Sequence, residues 1–94
     1  MRVTVLLPGV LRANVGGTSR LDVEVTDRAT LGVLLDVLAL RYPALDRRLR
    51  DERRELRRYV NFYVGEEECP RLDGAATELS DGDEIHIIPS VAGG

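Results

Sequence analysis

Short runs of β-branched and apolar residues predict four strands, several with the two-residue period of a sheet that buries one face. The first is Val3-Thr4-Val5-Leu6-Leu7, and Pro8 ends it because proline has no N–H to donate. The second is Leu21-Asp22-Val23-Glu24-Val25, and Gly16-Gly17 before it supplies the positive-φ positions that a turn needs. We expect these two strands to form a hairpin with a long connection.

Two more strands are predicted in the second half of the chain. Every even position in residues 60–64 is apolar, whereas the odd positions are tyrosine or asparagine, so this strand has one buried face. Ser80-Asp81-Gly82-Asp83 is a turn signal, because Asp supplies local hydrogen bonds and Gly the left-handed backbone. The last strand is expected over residues 84–88, and Pro89 ends it.

One main helix is predicted between the second and third strands. Its apolar face is formed by residues at helical spacing, namely Leu31, Leu34, Leu35, Leu38 and Tyr42. Asp27 or Thr30 can cap its first turn, and Pro43 ends the run. The order strand, strand, helix, strand predicts a sheet folded over one helix, with the first strand parallel to a later one in the middle.

The next segment, residues 46–58, carries seven arginines against four acidic residues. Leu45, Leu49 and Leu56 are interspersed with these charges. The segment is either a solvated connection that lays a few leucines on the domain or a docking surface for an acidic partner protein. We do not expect it to bind nucleic acid, because acidic residues interleave and the whole chain has a net charge of −3.

Composition indicates one domain. The 94 residues are 44% hydrophobic and 31% charged, which suits a single hydrophobic core. We expect residues 1–89 to form the domain and residues 90–94 a flexible C-terminal tail. No apolar run approaches the roughly 20 residues that span a bilayer, so we expect a cytoplasmic protein without membrane contact. One cysteine, Cys69, and one histidine, His86, predict neither an internal disulfide nor a metal site.

The end of the chain carries the candidate chemistry. After Pro89 come the small residues Ser90-Val91-Ala92-Gly93-Gly94, which could reach about 17 Å from the domain when extended. A terminal diglycine alone is most often a frayed tail. It gains meaning here from its combination with the Asp-Gly-Asp-Glu turn, the apolar last strand and the order of elements upstream.

In this combination the sequence resembles the ubiquitin-like sulfur carriers of the MoaD/ThiS type. The likeness lies in Leu79-Ser80-Asp81-Gly82-Asp83-Glu84-Ile85, Pro89 and Val91-Ala92-Gly93-Gly94, and it extends to residues 3–11 and 60–64. It is closest to the carriers that serve cysteine and related sulfur-metabolite biosynthesis. The resemblance implies an α+β fold, the β-grasp, with a mixed sheet of four to five strands packed on one main helix.

The resemblance also implies a reaction at Gly94. An E1-like enzyme, using ATP and Mg, would adenylate the Gly94 carboxylate, and sulfide would displace AMP to leave a thiocarboxylate that a downstream synthase uses. Val91, Ala92 and Gly93 would thread the tail into the enzyme, where glycine passes a narrow channel that a Cβ would block. The chain itself would bind no cofactor. Since we find no nucleophile–base pair in the sequence, we expect a protein cosubstrate, not an enzyme.

A partner surface is predicted on the sheet face away from the helix. Alternation sends five partly apolar or aromatic residues there, namely Leu6, Tyr59, Tyr63, His86 and Ile88. This face is either a partner-binding patch or a surface covered by loops. By the resemblance, the activating enzyme grips it, and Ile88 stands where the family places a large apolar residue just before the tail.

Three alternatives stay open. The chain could be the small subunit of molybdopterin synthase, whose tail inserts into a larger subunit. It could be a ubiquitin-like protein modifier whose Gly94 forms an isopeptide bond with a target lysine. All 13 basic residues are arginine, so lysine-linked chains of this protein are excluded in that case. Lastly, a β-grasp binding module with an irrelevant tail would keep its function without Gly93-Gly94.

Overall fold

The computed structural model describes residues 1–65, 67–68 and 74–89. One mixed sheet contains five strands in the spatial order β2, β1, β5, β3, β4. Their bounds are β1 Arg2–Leu6, β2 Arg20–Glu24, β3 Val60–Val64, β4 Glu67–Glu68 and β5 Glu84–Pro89. The four predicted strands are therefore confirmed, and β4 is a two-residue strand that the sequence analysis did not predict.

The centre of the sheet is the parallel pair of β1 with β5, which confirms the predicted topology. β2 pairs with β1 antiparallel as the predicted hairpin, and β3 pairs with β5 antiparallel. Parallel neighbours require a crossover, and the chain between β2 and β3 supplies it with two helices.

The long hairpin connection contains a helical turn that the sequence analysis missed. Helix α1 spans Gly9–Arg12, and a 3-10 turn follows at Ala13–Val15. The turn has no side-chain cap, and it buries Leu11 and Val15 in the core. Burial of two apolar side chains therefore stabilises a segment too short to be helical alone. Gly16, with φ 74°, supplies the predicted left-handed position.

Helix α2 spans Leu31–Arg41 and buries four of its five leucines in the core shared with the sheet. Thr30, one of the two predicted caps, takes the role, since its Oγ1 accepts from the Val33 N–H at 3.3 Å. Asp27, the other candidate, lies 3.5 Å from the N-terminal amine. Pro43 does end α2, and it also begins a second helix, α3, at Pro43–Leu49, because proline is well suited to a first helical turn.

The core lies between the sheet and the two longer helices. The alternation of the strands predicts eight inward residues, and all are buried except Val64, which is half-buried: Val3, Val5, Leu7, Val60, Phe62, Val64, Ile85 and Ile87. Phe62 is 3% exposed, and Leu45 and Leu49 of α3 are fully buried. The leucines of the arginine-rich region thus join the core, as one of its two interpretations predicted.

The turn at residues 80–83 fixes where β5 begins. The Asp83 carboxylate accepts from the Ser80 N–H at 2.7 Å, and Gly82 has φ 86°, as the turn signal predicted. Asp81 accepts from the Arg2 N–H at 2.8 Å, and Gly82 donates to the Arg2 carbonyl at 2.8 Å. These bonds align the start of β5 with the start of β1, so both strands run toward the same end of the sheet.

Candidate functional site

The C-terminal segment leaves the domain from the central strand β5. β5 extends one residue further than predicted, to Pro89, which lies opposite Val60 of β3. Proline is tolerated there because it is the last residue of the strand. We call the Pro89–Val60 pair the tail root. The predicted tail residues Val91, Ala92, Gly93 and Gly94 lie outside the described residues, so their roles stay predictions.

Three of the predicted partner residues form a row across the outer face of the sheet. Leu6 is paired with His86 across the parallel ladder, and His86 is paired with Tyr63 across the antiparallel one. Directly opposite residues have Cβ atoms about 4.5–5.5 Å apart, close enough for their side chains to pack. All three side chains are half-buried. The structure thus brings residues from distant parts of the sequence into one strip.

Ile88 and Tyr59 extend this strip to the tail root. Ile88 lies opposite Asn61, is 48% exposed and precedes Pro89 by one residue. Tyr59 directly precedes β3 and is 44% exposed. Both side chains are accessible to solvent, so loops do not cover the surface at these two positions. We call Leu6, Tyr59, Tyr63, His86 and Ile88 the outer patch, and its role as a docking surface stays a prediction.

The other half of the same face is polar and paired. Arg2 lies 2.9 Å from Glu24, and the Thr4 hydroxyl donates to Asp22 at 3.0 Å. Among the residues that the structure describes, the half of the outer face formed by β2 and the start of β1 is therefore polar. The sequence contains this division, since the outward positions of β1 and β2 are mostly charged or hydroxylated except Leu6.

The arginine-rich segment contains a buried cation that the sequence analysis did not single out. Arg50 is 5% exposed, with Nε donating to Asp46 Oδ1 at 2.7 Å and Nη1 donating to Asp36 Oδ1 at 2.8 Å. Burial alone would lower the pKa of Arg50, but the hydrogen bonds and charges of Asp46 and Asp36 outweigh it and raise this pKa. The spacing of Asp46 and Arg50, four residues apart on a helix, was the available signal.

The loop after Arg50 folds around Asp51. Its Oδ1 accepts from the N–H groups of Arg53, at 2.8 Å, and Glu55, at 3.1 Å. The Glu55 N–H is the main cause of a lowered pKa of Asp51, and Arg57 and Arg53 add to it. Arg50 and Leu56 then form an isolated antiparallel bridge. This loop therefore has a defined shape, and it leads directly to β3 and the tail root.

Neither a metal centre nor a membrane segment is found in the part of the chain that the structure describes. No three His, Cys, Asp or Glu side chains there are arranged to hold a metal ion. Cys69 lies outside those residues. No helix of the described ranges has the length and apolar character to cross a membrane.

A mixed sheet with a central parallel pair, packed on one main helix, is the β-grasp architecture of ubiquitin-like proteins. SAMP1 from Haloferax volcanii has this fold, with a TM-score of 0.85, 28% identity and full coverage of both chains. A crystal structure of the BexX/CysO complex from Amycolatopsis orientalis contains a chain with a TM-score of 0.81 and 38% identity, covering 98% of this chain and 99% of that one.

Sequence comparison identifies the family. The ThiS family model matches residues 5–94, so the chain belongs to the ThiS family. Sulfur carrier protein CysO of Mycobacterium tuberculosis is 38% identical over 96 residues, with full coverage of both chains. The molybdopterin synthase sulfur carrier subunit of the same species is 36% identical over 94 residues, covering 100% of this chain and 99% of its own. The chain is thus a homologue of sulfur carrier proteins.

Proposed function

We propose that this protein is a sulfur carrier whose Gly94 carboxylate is converted to a thiocarboxylate. A carboxylate oxygen of Gly94 attacks the α-phosphorus of ATP on an E1-like enzyme, and pyrophosphate leaves. Sulfide then attacks the acyl-adenylate carbonyl, and AMP leaves with the C–O bond electrons. The thiocarboxylate donates its sulfur to a biosynthetic acceptor on a downstream synthase.

The observation that carries the proposal is the position of the outer patch beside the tail root. An activating enzyme must hold the domain while it draws the tail to ATP, so its grip has to lie close to where the tail begins. Ile88 and Tyr59 provide exposed apolar and aromatic surface at that point. Tyrosine is also enriched among residues that dominate binding energy in interfaces.

The chain is proposed to act as a cosubstrate, and the enzyme to supply the catalytic groups. ATP and Mg²⁺ would bind to the activating enzyme. The outer patch would dock that enzyme, and residues 91–93 would cross its channel. The similarity to a chain of the BexX/CysO complex supports docking to a partner protein.

Intact mass measurement tests the proposal. Incubation with the E1-like enzyme, ATP, Mg²⁺ and sulfide should increase the mass by the difference between sulfur and oxygen. Iodoacetamide should then alkylate the new C-terminal thiocarboxylate in addition to the single thiol of Cys69, which reacts with or without ATP. The mass should not change when ATP is omitted. An unchanged mass in the complete mixture would contradict the proposal.

Two other functions have specific support. Identity of 36% to a molybdopterin synthase subunit favours a role in that enzyme, which would appear as a stable heterotetramer in a pull-down. Similarity to SAMP1, together with a terminal diglycine, favours protein conjugation, which would appear as a ladder of heavier species on a Western blot. Since the chain has no lysine, such a ladder would report other target proteins.

A further inference from the structure

Charge is distributed unevenly over this protein. Residues 46–58 carry seven arginines against four acidic residues, whereas the rest of the chain carries six arginines against twelve. The sheet register turns this difference into a spatial one. β5 starts at Glu84, directly after Asp81 and Asp83, at the end of the sheet where Glu24 lies. β5 finishes at the tail root, immediately beside the end of the arginine-rich segment.

Four arginines of this segment are linked to one another or to the start of β3, and we call them the arginine cluster: Arg47, Arg53, Arg57 and Arg58. The Arg57 side chain donates from Nε to the Arg47 carbonyl at 2.8 Å, which joins the loop to α3. Arg53 and Arg57 line one surface depression together with Asp51 and Glu52. The Val60 N–H donates to the Arg57 carbonyl at 3.1 Å, so the end of the cluster is held against the first residue of β3. That residue, Val60, pairs with Pro89.

The cluster has no ion-pair partner within the described ranges. The ion pairs that this segment forms there involve Arg50 and Arg54. The Asp51 Oδ1 atom accepts from two backbone N–H groups of the loop. Arg47, Arg53 and Arg58 are exposed. Cations grouped in this way repel one another. Arg53 and Arg57 attract Asp51, whereas no ion pair of the described residues involves Arg47 or Arg58, so folding accounts for only part of the arrangement.

The scaffold beneath the cluster is fixed. Arg50 is held between Asp46 and Asp36, and the Arg57 N–H donates to the Leu49 carbonyl at 2.9 Å. A charged surface on a fixed backbone loses less conformational entropy on binding than one on a mobile loop. Guanidinium groups also match carboxylates in a planar, two-bonded geometry.

We infer that the arginine cluster docks on an acidic protein surface beside the channel of the enzyme that activates the tail. This inference rests on the proposed function. The cluster and the outer patch would then contact the enzyme together, one through charge and the other through apolar surface. A protein is favoured over nucleic acid because the opposite end of the domain is acidic, so a long polyanion that extends past the cluster would meet repulsion there, whereas an acidic protein surface of limited extent would not.

Charge reversal at single positions tests the inference. Arg58→Glu and Arg53→Glu change exposed side chains for which the structure gives no side-chain hydrogen bond. Arg28→Glu is the matched control, since Arg28 is exposed and lies beyond the far end of β2. Arg28 has a left-handed backbone with φ 63°, and this conformation is the same whether the position carries arginine or glutamate. Each variant is compared with the unmodified protein in ATP-dependent adenylation at about 0.05 M and about 0.5 M salt, between which screening increases strongly.

At low salt we expect Arg58→Glu and Arg53→Glu to raise the half-saturating carrier concentration about tenfold, with turnover at saturation unchanged. The difference should shrink at high salt, and Arg28→Glu should match the unmodified protein. Equal behaviour of all variants would overturn the inference alone, while absence of adenylation of the unmodified protein would overturn the proposed function with it.

Two further measurements exclude other occupants. A labelled random DNA duplex that binds the unmodified chain at about 0.15 M salt, and not Arg58→Glu, would assign the cluster to nucleic acid and overturn the inference. Sedimentation showing self-association at low salt that Arg58→Glu abolishes would assign it to a second copy of the chain, with the same consequence. A monomer that does not bind the duplex supports the inference.

Discussion

The buried guanidinium of Arg50 donates from Nη1 to Asp36 Oδ1 at 2.8 Å, which joins the end of α3 to α2. Asp46 completes the group at 2.7 Å from Nε. Asp36 is 51% and Asp46 23% exposed, so both carboxylates reach water if the cation is removed. These two ion pairs therefore fix the position of the arginine-rich segment on the domain. Because both carboxylates can be hydrated, removing the cation should cost less stability than breaking a fully buried ion pair.

We expect Arg50→Met to lower the free energy of unfolding by about 1–3 kcal/mol, the usual cost of losing buried hydrogen bonds to charged groups. Arg54→Met is the matched control, because Arg54 is 76% exposed and lies 3.8 Å from the same Asp36. Its effect should stay within about 0.5 kcal/mol. Urea unfolding measures both, and equal losses would show that burial of Arg50 is not what stabilises the contact.

Phe62 provides a test of the core. We expect Phe62→Ala to lower the free energy of unfolding by about 3–5 kcal/mol, because it empties the space of an aromatic side chain that is 3% exposed. Tyr63→Ala, one residue further on the outer face, should cost less since Tyr63 is half-buried. Thermal or urea unfolding of both variants checks this order, and a reversed order would contradict the register of β3.

Register was predictable because a sheet with one buried face fixes it strongly. A shift of one residue in β5 would move Ile87 to water and Ile88 into the core, and the alternation of residues 84–88 permits only one choice. The same alternation located the outer patch. The turn at residues 80–83 was predictable because Asp and Gly have specific backbone roles there.

Other features depend on contacts between distant residues. α1 forms because Leu11, and Val15 in the turn that follows it, are buried in the core. Four residues alone are too short to form a stable helix. The pairing of Arg50 with Asp36 joins residues that are 14 positions apart in the sequence, and no local pattern indicates it. The position of the arginine cluster beside the tail root likewise follows from the pairing of Val60 with Pro89.

Asp51 gives the protein a pH dependence with a defined sign. Its pKa is lowered in the folded state, mainly by the Glu55 N–H. A lowered folded pKa adds stability above the unfolded pKa, and this stability is lost as the pH falls through the folded pKa. The carboxyl resonance of Asp51 in an NMR titration should therefore have its midpoint below 3.8, the ordinary value.

We also expect Asp51→Asn to reduce stability at neutral pH and to match the unmodified protein at a pH below both values. Glu52→Gln is the control, because Glu52 is an exposed neighbour with the same charge and no hydrogen bond in the loop that Asp51 organises. A stability difference for Asp51→Asn that persists unchanged at low pH would show that geometry, not charge, is responsible.

The tail prediction separates chemistry from folding. Removing Gly94, or adding one residue after it, should abolish sulfur loading because the reacting carboxylate moves. No core residue changes, so circular dichroism and the melting temperature should match the unmodified protein. Intact mass after incubation with the activating enzyme, ATP, Mg²⁺ and sulfide measures loading. Retained loading would contradict the role of Gly94, and loss of folding would mean that the C-terminal segment stabilises the domain.

Ile88 tests whether the outer patch docks the activating enzyme. Ile88→Asp would place an unpaired charge in a desolvated interface, where loss of an anchor typically costs about 2 kcal/mol or more, so adenylation should fall steeply. Since Ile88 is 48% exposed, the free energy of unfolding should change by only about 0.5 kcal/mol.

Leu40→Asp is the matched control for Ile88→Asp. Leu40 is an 88% exposed apolar residue on α2, and α2 packs on the opposite face of the sheet from the outer patch. The same substitution there adds the same charge and removes an exposed apolar side chain of equal size, without touching the outer patch. Adenylation of Leu40→Asp should therefore equal that of the unmodified protein. If Ile88→Asp is adenylated normally, the outer patch is not the docking surface; if both variants fail equally while folded, added charge is responsible and position is not.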